Sequence, residues 1–359
     1  MSALKIKFPW QEGKDDEHII LFTRCRIARN LPDLPFHHRY CNPAQKKKLS
    51  DTLSPYFLKK KFYRIMVARL SPPELQYCLD NKIITREITQ NAAGQCFYLA
   101  RSGLSVLVGE EDHLRIQSLA AGFALRDTVK AAFTLEQDLQ EQFSFAFREP
   151  FGFLTACPTN TGTGTRLSVI LHLRALYMLE KHSDVLEGIK KLGMDIRGLG
   201  GEGTTPEGPM LQISNRVTLG MSEWDIMEKF ERAILSIRDR EREARKLINE
   251  KNPVKLRDMI SRSAAILQSA WLMDYEESLN HLSLYYLGLA LKIIRFEPAQ
   301  GLGYFITRLT FASLAGAQTG TKKKQNGKPE APDKQNHLLE KELVDQKRAA
   351  TLRKILKAG

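Results

Sequence analysis

Residues 19–30 read Ile-Ile-Leu-Phe-Thr-Arg-Cys-Arg-Ile-Ala-Arg-Asn, and this stretch decides how the first two thirds of the chain fold. β-Branched and aromatic residues fill Ile19 to Ile27 as they fill a strand. Strand side chains alternate between faces, so Arg24 and Arg26 point to one face and Cys25 to the other. Two guanidinium groups on one face of a sheet repel unless an anion lies between them or each has its own carboxylate, and the segment alone leaves both arrangements open. Working outward, Cys96 to Ala100, Leu104 to Val108, Phe151 to Ala156 and Met210 to Leu219 also read as strands. The triplet Arg101-Ser102-Gly103 predicts a hairpin turn, because Gly supplies the positive φ such turns need. The expectation is a mostly antiparallel sheet.

Helical periodicity begins at Ser222. Ser222-Glu223-Trp224-Asp225 resembles a capping box, and Ile226, Phe230, Ala233, Ile234 and Ile237 recur at helical spacing. The charged run Arg238 to Arg245 then forms an exposed end, and Asn252-Pro253 marks a boundary. The spacing divides the chain into a first domain over 1–250, a helical domain over 254–318, a flexible basic linker over 319–337 and a C-terminal helix over 338–359. The fold class is α+β, an antiparallel sheet flanked by helices followed by a smaller all-α domain. The helical domain carries many large apolar residues, among them Ile260, Trp271, Leu272, Leu282, Tyr285 and Leu287. Packing against a second copy would cover that surplus.

Composition excludes several classes. The chain has 359 residues, 54 Lys+Arg and 41 Asp+Glu, for a formal charge of +13. Its five cysteines are odd in number and include no CxxC pair, which fits a reducing, cytoplasmic compartment and neither a disulfide framework nor a zinc knuckle. The longest apolar run, Leu282 to Ile294, is interrupted and too short to cross a bilayer, and no signal-peptide pattern is present, so no membrane association is expected. Residues 319–359 hold 11 Lys+Arg against 5 Asp+Glu, a local +6. Without aromatic residues among these lysines to stack bases, a solvated tail explains them better than nucleic-acid binding.

Three further segments carry chemistry. Gly109-Glu110-Glu111-Asp112-His113-Leu114-Arg115 sets three acids after a strand, where a helix N-terminus would also accommodate them. Cys157-Pro158-Thr159-Asn160-Thr161-Gly162-Thr163-Gly164-Thr165-Arg166 is a Gly/Thr-rich loop between a strand and an apolar, helix-like run. It can aim N–H groups at an anion but lacks the lysine of a P-loop. Arg197-Gly198-Leu199-Gly200-Gly201-Glu202-Gly203-Thr204 lets the backbone approach or move around a ligand. Each segment is weak alone; together they place arginines, glutamates and a cysteine on separate elements of one domain.

In this order, TRCRIARN, EEDHLRI, CPTNTGTGTR and RGLGGEGT resemble the motifs of the phosphagen (guanidino) kinase family, the ATP:guanido phosphotransferases. With no large N-terminal helical domain ahead of them and a helical region behind, the layout is more similar to the bacterial protein-arginine kinases of the McsB type. The resemblance implies a phosphagen-kinase-like catalytic domain over 1–250, with Arg24, Arg26, Arg115, Arg166 and Arg197 binding the phosphates of ATP. It implies that Glu111 and Glu202 hold the substrate guanidinium, Glu111 accepting its proton, and that Cys157 helps position it. Mg2+ would be held mainly by the nucleotide phosphates, with no protein metal site. The open substrate side implies protein arginine as acceptor.

The same resemblance implies a homodimer through the C-terminal helices, a zinc-binding activator protein, and phosphoarginine as a mark for a Clp-type ATPase and protease. Gly109 stands where many relatives have Asn, and Cys25 where an aliphatic residue is usual. Val344-Asp345-Gln346-Lys347-Arg348-Ala349 is similar to a phosphoarginine-binding RDxxRA motif but lacks its first Arg, leaving Asp345 and Arg348 as phosphoarginine-binding candidates or as solvated helix residues. The alternatives to a protein-arginine kinase are a kinase for a small free guanidino compound and a weakly active adaptor or regulator with a kinase-like fold. Clustered like charges argue against the adaptor, since a site under no catalytic demand has no reason to keep them.

Overall fold

The computed structural model describes residues 17–99, 102–199, 208–310, 313–314 and 334–356, with 334–340 as backbone only. Of the expectations above, Glu202, Arg101 and the basic linker over 319–337, apart from its last residues, lie outside the described residues.

The elements in chain order are β1 (Ile20–Arg29), α1 (Pro43–Lys59), β2 (Tyr63–Met66), α2 (Pro72–Asp80), β3 (Gln95–Tyr98), β4 (Leu104–Val108), β5 (Leu114–Ala121) and α3 (Leu125–Gln140). A two-residue hairpin follows, β6 (Phe147–Arg148) and β7 (Gly152–Phe153), then β8 (Thr165–His172), α4 (Arg174–Met178), α5 (His182–Lys191), β9 (Met194–Gly198) and β10 (Met210–Asn215). The chain ends in helices: α6 (Glu223–Lys251), α7 (Pro253–Ser269), α8 (Tyr275–Ala290), α9 (Leu302–Arg308) and α10 (Lys334–Leu356). Eight strands form one sheet in the order β2-β3-β4-β5-β1-β8-β10-β9, and every pairing is antiparallel.

The two faces of this sheet are covered differently. Cys25 and Ile27 of β1, Ile116 of β5, Leu167 and Val169 of β8 and Ile213 of β10 point to one face, where they join a continuous core with Leu135 and Leu139 of α3 and Phe230 and Ile234 of α6. On the other face Phe22, Leu119, Ile170 and Met210 pack against Tyr286 of α8, Phe305 of α9 and Leu352 of α10. A Cβ on Gly303 would come within 2.8 Å of the Phe22 ring, so α9 lies directly on β1 there. The C-terminal helices are thus a layer over part of the sheet.

Several expectations change. The apolar run after Gly164 is not helical at its start: it is β8, with Leu167, Val169 and Leu171 on the core face and Arg166 and Ser168 on the other, and it leads straight into the apolar α4, a mixture that periodicity alone does not separate from one buried helix. Of the strand read over Phe151 to Ala156, only Gly152–Phe153 pairs, with Phe147–Arg148. The three acids precede strand β5, not a helix. Leu282, Tyr285, Tyr286 and Leu287 are buried within this chain, whereas Trp271 and Leu272 are exposed, so intramolecular packing already covers most of the apolar surplus. The capping box at Ser222 is present with Asp225, and the helix breaks at Asn252, with Pro253 opening α7.

Candidate functional site

The arginine pair sits where alternation put it, and strand register adds the rest. Residues directly opposite across a ladder share a face. Arg26 lies opposite Arg166 of β8 and Gln117 of β5, and Ala28 lies opposite Arg115. Arg24 lies opposite Ser168, Ser168 opposite Ser214, and Ser214 opposite Asp195 of β9. Arg197 follows two residues on, opposite Gln212. All five predicted arginines therefore share one face across β5, β1, β8 and β9, and all five are half-buried.

Their partners are unequal. Arg115 donates to Glu110 Oε1 at 2.5 Å and to Glu111 Oε2 at 3.2 Å. Arg166 donates to Asp195 Oδ2 at 2.7 Å and Ser214 Oγ at 3.0 Å, and Arg197 lies 3.5 Å from the same carboxylate. Arg24 donates Nε–H to Ser168 Oγ at 3.2 Å, while Arg26 Nε is buried with no hydrogen-bond partner. Among the described residues neither Arg24 nor Arg26 forms an ion pair. Burial, then repulsion from Arg166, Arg115 and Arg197, pulls the Arg24 guanidinium down to about 10. Burial and the neighbouring Arg24, Arg115 and Arg166 lower Arg26 strongly. Of the two arrangements open at the start, separate carboxylates for each arginine is not the one found here.

The three acids divide the work. Gly109 turns the chain at φ +74°, and a Cβ there would stand 2.7 Å from Asn91 Nδ2, which donates to Gly109 O at 2.7 Å, so in this chain the glycine makes room for Asn91. Glu110 is buried, accepts from Thr85 Oγ1 at 2.6 Å as well as from Arg115, and takes the Glu111 N–H at 2.7 Å. Glu111 remains partly exposed. Asp112 Oδ1 accepts from Asn30 Nδ2 and from the Ala156 N–H, both at 2.7 Å, and burial raises its pKa. Asp112 thus ties the end of β1, the acidic turn and the cysteine loop together, and Glu111 and Cys157 each sit one residue from that Asp112–Ala156 bond.

The cysteine loop is held from beneath. Arg29 is 1% exposed, donates Nε–H to Glu136 of α3 at 2.8 Å and Nη1–H to Thr163 O at 2.9 Å, and stacks 3.5 Å from the Phe153 ring centroid. Thr218 donates to Thr159 O or Thr161 O, at 2.9 and 2.8 Å. Gly162 adopts φ +110°, and a Cβ there would stand 2.3 Å from Thr218 O. Cys157 Sγ lies 3.0 Å from Thr159 Oγ1 and is partly exposed, whereas the other four cysteines are buried. Cys25 among them faces the apolar core, where burial pushes its thiol up to about 12.

Between the arginine face and the C-terminal helices lies a cavity of ≈ 200 Å³, lined by Arg24, Leu119 and Gln212 of the sheet, Lys82 of the turn after α2, and Tyr275 and Ile306 from the helices. Sequence reasoning missed Lys82, which donates to Leu199 O at 3.0 Å and whose pKa burial and Arg24 lower to about 8. It also missed Glu110 and Asp195. Asp195 and Arg197 are two apart on one strand, a signal that alternation could have supplied. At the C-terminus Arg348 is not solvated: it is buried, donating to Leu309 O and Met273 O, both at 2.8 Å, and to Asp345 at 2.5 Å. The His37, His38 and Glu87 side chains also converge, but His37 Nδ1 accepts the Arg39 N–H, leaving the ring proton on the nitrogen that faces Glu87.

Residues 45–244 match the family model of the ATP:guanido phosphotransferase C-terminal catalytic domain, and residues 253–359 match that of the protein-arginine kinase McsB C-terminal domain. The protein-arginine kinase of Bacillus subtilis is 35% identical over 292 residues, 80% of each chain. That of Moorella thermoacetica is 33% identical over 313 residues, 85% of this chain and 89% of the relative. Among solved structures, the lombricine kinase crystal structure superposes with a TM-score of 0.53 at 22% identity, covering 67% of this chain and 70% of that one. The duplicated taurocyamine kinase of Schistosoma mansoni gives 0.57 at 19%, covering 75% of this chain, which spans only 41% of that duplicated protein. The fold is shared with both, and the chain belongs to the ATP:guanido phosphotransferase family, in the branch that carries the McsB C-terminal domain.

Proposed function

We propose that this chain is an ATP-dependent protein-arginine kinase whose arginine face holds the triphosphate while the acidic turn and cysteine loop present the acceptor guanidinium. One observation carries the reading: Arg26 is set among Arg24, Arg115 and Arg166 with its Nε buried and unpartnered. Such a cluster suits a polyanion, since planar guanidinium groups bind phosphate oxygens in pairs and together offset their charge. The cavity beside Arg24 suits the base and ribose, with Leu119 and Ile306 as apolar walls. Family membership supports ATP use; Mg2+ is the finer proposal. Among the described residues Glu110, Glu111 and Asp195 on this face are already engaged by arginines, so the ion would be held mainly by nucleotide oxygens and water.

Glu111 is the group placed to accept a proton. A guanidinium is a poor nucleophile, so one nitrogen must lose a proton as its lone pair forms the N–P bond and the bond from Pγ to the ADP oxygen breaks. Glu110 fixes Arg115 and the Glu111 backbone, which holds the proton acceptor beside the phosphate site. Glu202 shares the grip on the guanidinium and Cys157 positions it, as the family resemblance implies. The same resemblance supports a homodimer, a zinc-binding activator, phosphoarginine binding at Asp345 and Arg348 and a Clp-type protease that reads the mark, while the free cysteines fit a cytoplasmic setting. No helix of the described residues is long and apolar enough to cross a membrane.

The test is incubation with Mg-ATP and an unfolded arginine-rich protein, followed by mass spectrometry under non-acidic conditions. Phosphate on arginine, absent with Glu111→Ala, is the expected result. Transfer to free arginine but to no protein would replace this reading with a small-guanidine kinase.

A further inference from the structure

Two segments that hold the cysteine loop carry exposed apolar side chains at its edges. On one side, the β6–β7 hairpin is bonded to the loop in both directions, Phe153 N–H to Gly162 O at 2.8 Å and Gly162 N–H to Phe153 O at 3.2 Å. A Cβ on Gly152 would stand 2.7 Å from Gly162 O, so the hairpin lies flush against the loop. Phe147 packs edge-on against Phe153 with ring centroids 5.3 Å apart, yet Phe147 and Phe151 themselves are 55% and 47% exposed. On the other side, Thr163 N–H bonds Thr218 O at 3.1 Å, and the residues flanking Thr218, Val217 and Leu219, are 45% and 48% exposed. Exposed apolar residues scattered singly need no explanation, but two pairs fastened to opposite edges of one loop do.

We propose that Phe147 and Phe151 on one edge, and Val217 and Leu219 on the other, bind apolar residues flanking the target arginine in an extended, unfolded polypeptide. The inference rests on the protein-arginine kinase reading and deepens it. An arginine that reaches Cys157 and Glu111 must bring its chain neighbours over the rim of this loop, and at about 3.3 Å per residue a few residues on either side span such edges. Folded proteins bury the apolar neighbours this rim would hold, whereas unfolded chains expose them. The rim therefore selects for unfolded substrates, and a free guanidino compound gains nothing from it.

The experiment uses two peptides with the same central arginine, one flanked by Leu and Phe and the other by Ser and Gly, with the full-length protein and its F147S/F151S variant. Wild type is expected to phosphorylate the apolar-flanked peptide with a KM about tenfold lower, and the variant to lose that preference while keeping its KM for ATP and its rate on the Ser/Gly peptide. An undiminished preference in the variant would overturn the proposal. A changed oligomeric mass with the preference intact would assign the rim to a second copy instead. If the double variant loses both activities, Leu219→Ser on the opposite edge poses the same question, with the same outcome deciding it. Transfer by wild type to free arginine and to neither peptide would overturn the protein-arginine kinase reading itself, which separates that failure from failure of the rim.

Discussion

Strand β1 has two faces, and they obey opposite rules. Cys25 and Ile27 face α3 and α6, in a core of buried apolar side chains. Arg24 and Arg26, one residue away in each case, stand beside Arg115 and Arg166, with none of the described carboxylates paired to either. The first arrangement is what burial of apolar surface produces unaided. The second opposes folding, because desolvated like charges raise the energy of the free protein. Arg29, on the same strand, is the informative third case: it is buried more deeply than either, yet it has Glu136, a carbonyl and an aromatic ring. The difference between a satisfied and an unsatisfied arginine, more than burial, separates scaffold from binding site.

The sharpest way to break that comparison is to make one substitution at both kinds of position. Arg29→Met leaves Glu136 buried without its partner and releases Thr163, and should cost about 3–5 kcal/mol of stability, measured by urea denaturation. Arg26→Met should leave stability unchanged or raised while kcat/KM for ATP falls about 10²- to 10³-fold, the loss of one donor in a preorganised charge-stabilising site. If Arg26→Met destabilised as much as Arg29→Met, both arginines would be scaffold and the contrast would collapse.

Glu110→Gln sharpens the contrast at smaller cost. This buried carboxylate touches Arg115, Thr85 and the Glu111 backbone, so its amide should misplace the acidic turn. We expect a loss of about 10- to 100-fold in kcat, corresponding to about 1–3 kcal/mol for a charge-assisted hydrogen bond, with a smaller change in KM for ATP. An equal loss from Glu110→Gln and Glu111→Gln, with identical pH profiles, would mean that the roles divided here between positioning and proton transfer are not distinct.

How much of this was readable beforehand follows from the distance over which each feature is determined. The split of Arg24 and Arg26 from Cys25 is local alternation and needed no partner strand. That Arg26 meets Arg166, and Ala28 meets Arg115, is register between segments about 90 to 140 residues apart, which the family motifs supplied and periodicity did not. β8 read as helix-like because its short alternation, Leu167, Val169 and Leu171 against Arg166 and Ser168, runs into Leu173 and the apolar residues of α4. Lys82 gave no signal at all: an isolated lysine in Asp80-Asn81-Lys82-Ile83 looks like a turn residue until the helical layer closes over it. Glu110 and Asp112 were visible as charges, but a run of three acids does not disclose that Glu110 reaches Thr85 and Asp112 reaches Asn30 and Ala156.

Lys82 gives the smallest effect. It stands beside Arg24 at the cavity, and burial followed by that arginine's repulsion lowers its pKa from the ordinary lysine value to about 8. A lysine whose folded-state pKa is depressed favours the neutral form in the fold, so its burial weighs against stability below about pH 8 and that cost is relieved as pH rises toward the unfolded value near 10.5. Nucleotide phosphate beside Arg24 would reverse the preference, because a negative charge favours the ammonium form. Binding above pH 8 then requires uptake of a proton, and KM for ATP should rise several-fold between pH 7.5 and 9. In Lys82→Met the KM should be higher at pH 7.5 and nearly flat across that range, and the relative gain in melting temperature between pH 8 and 10 should vanish. A wild-type KM that stays flat while the stability slope persists would place Lys82 in the scaffold, as an anchor for Leu199 O and nothing more, and would move the boundary between the two kinds of cation from Arg29 to the edge of the cavity itself.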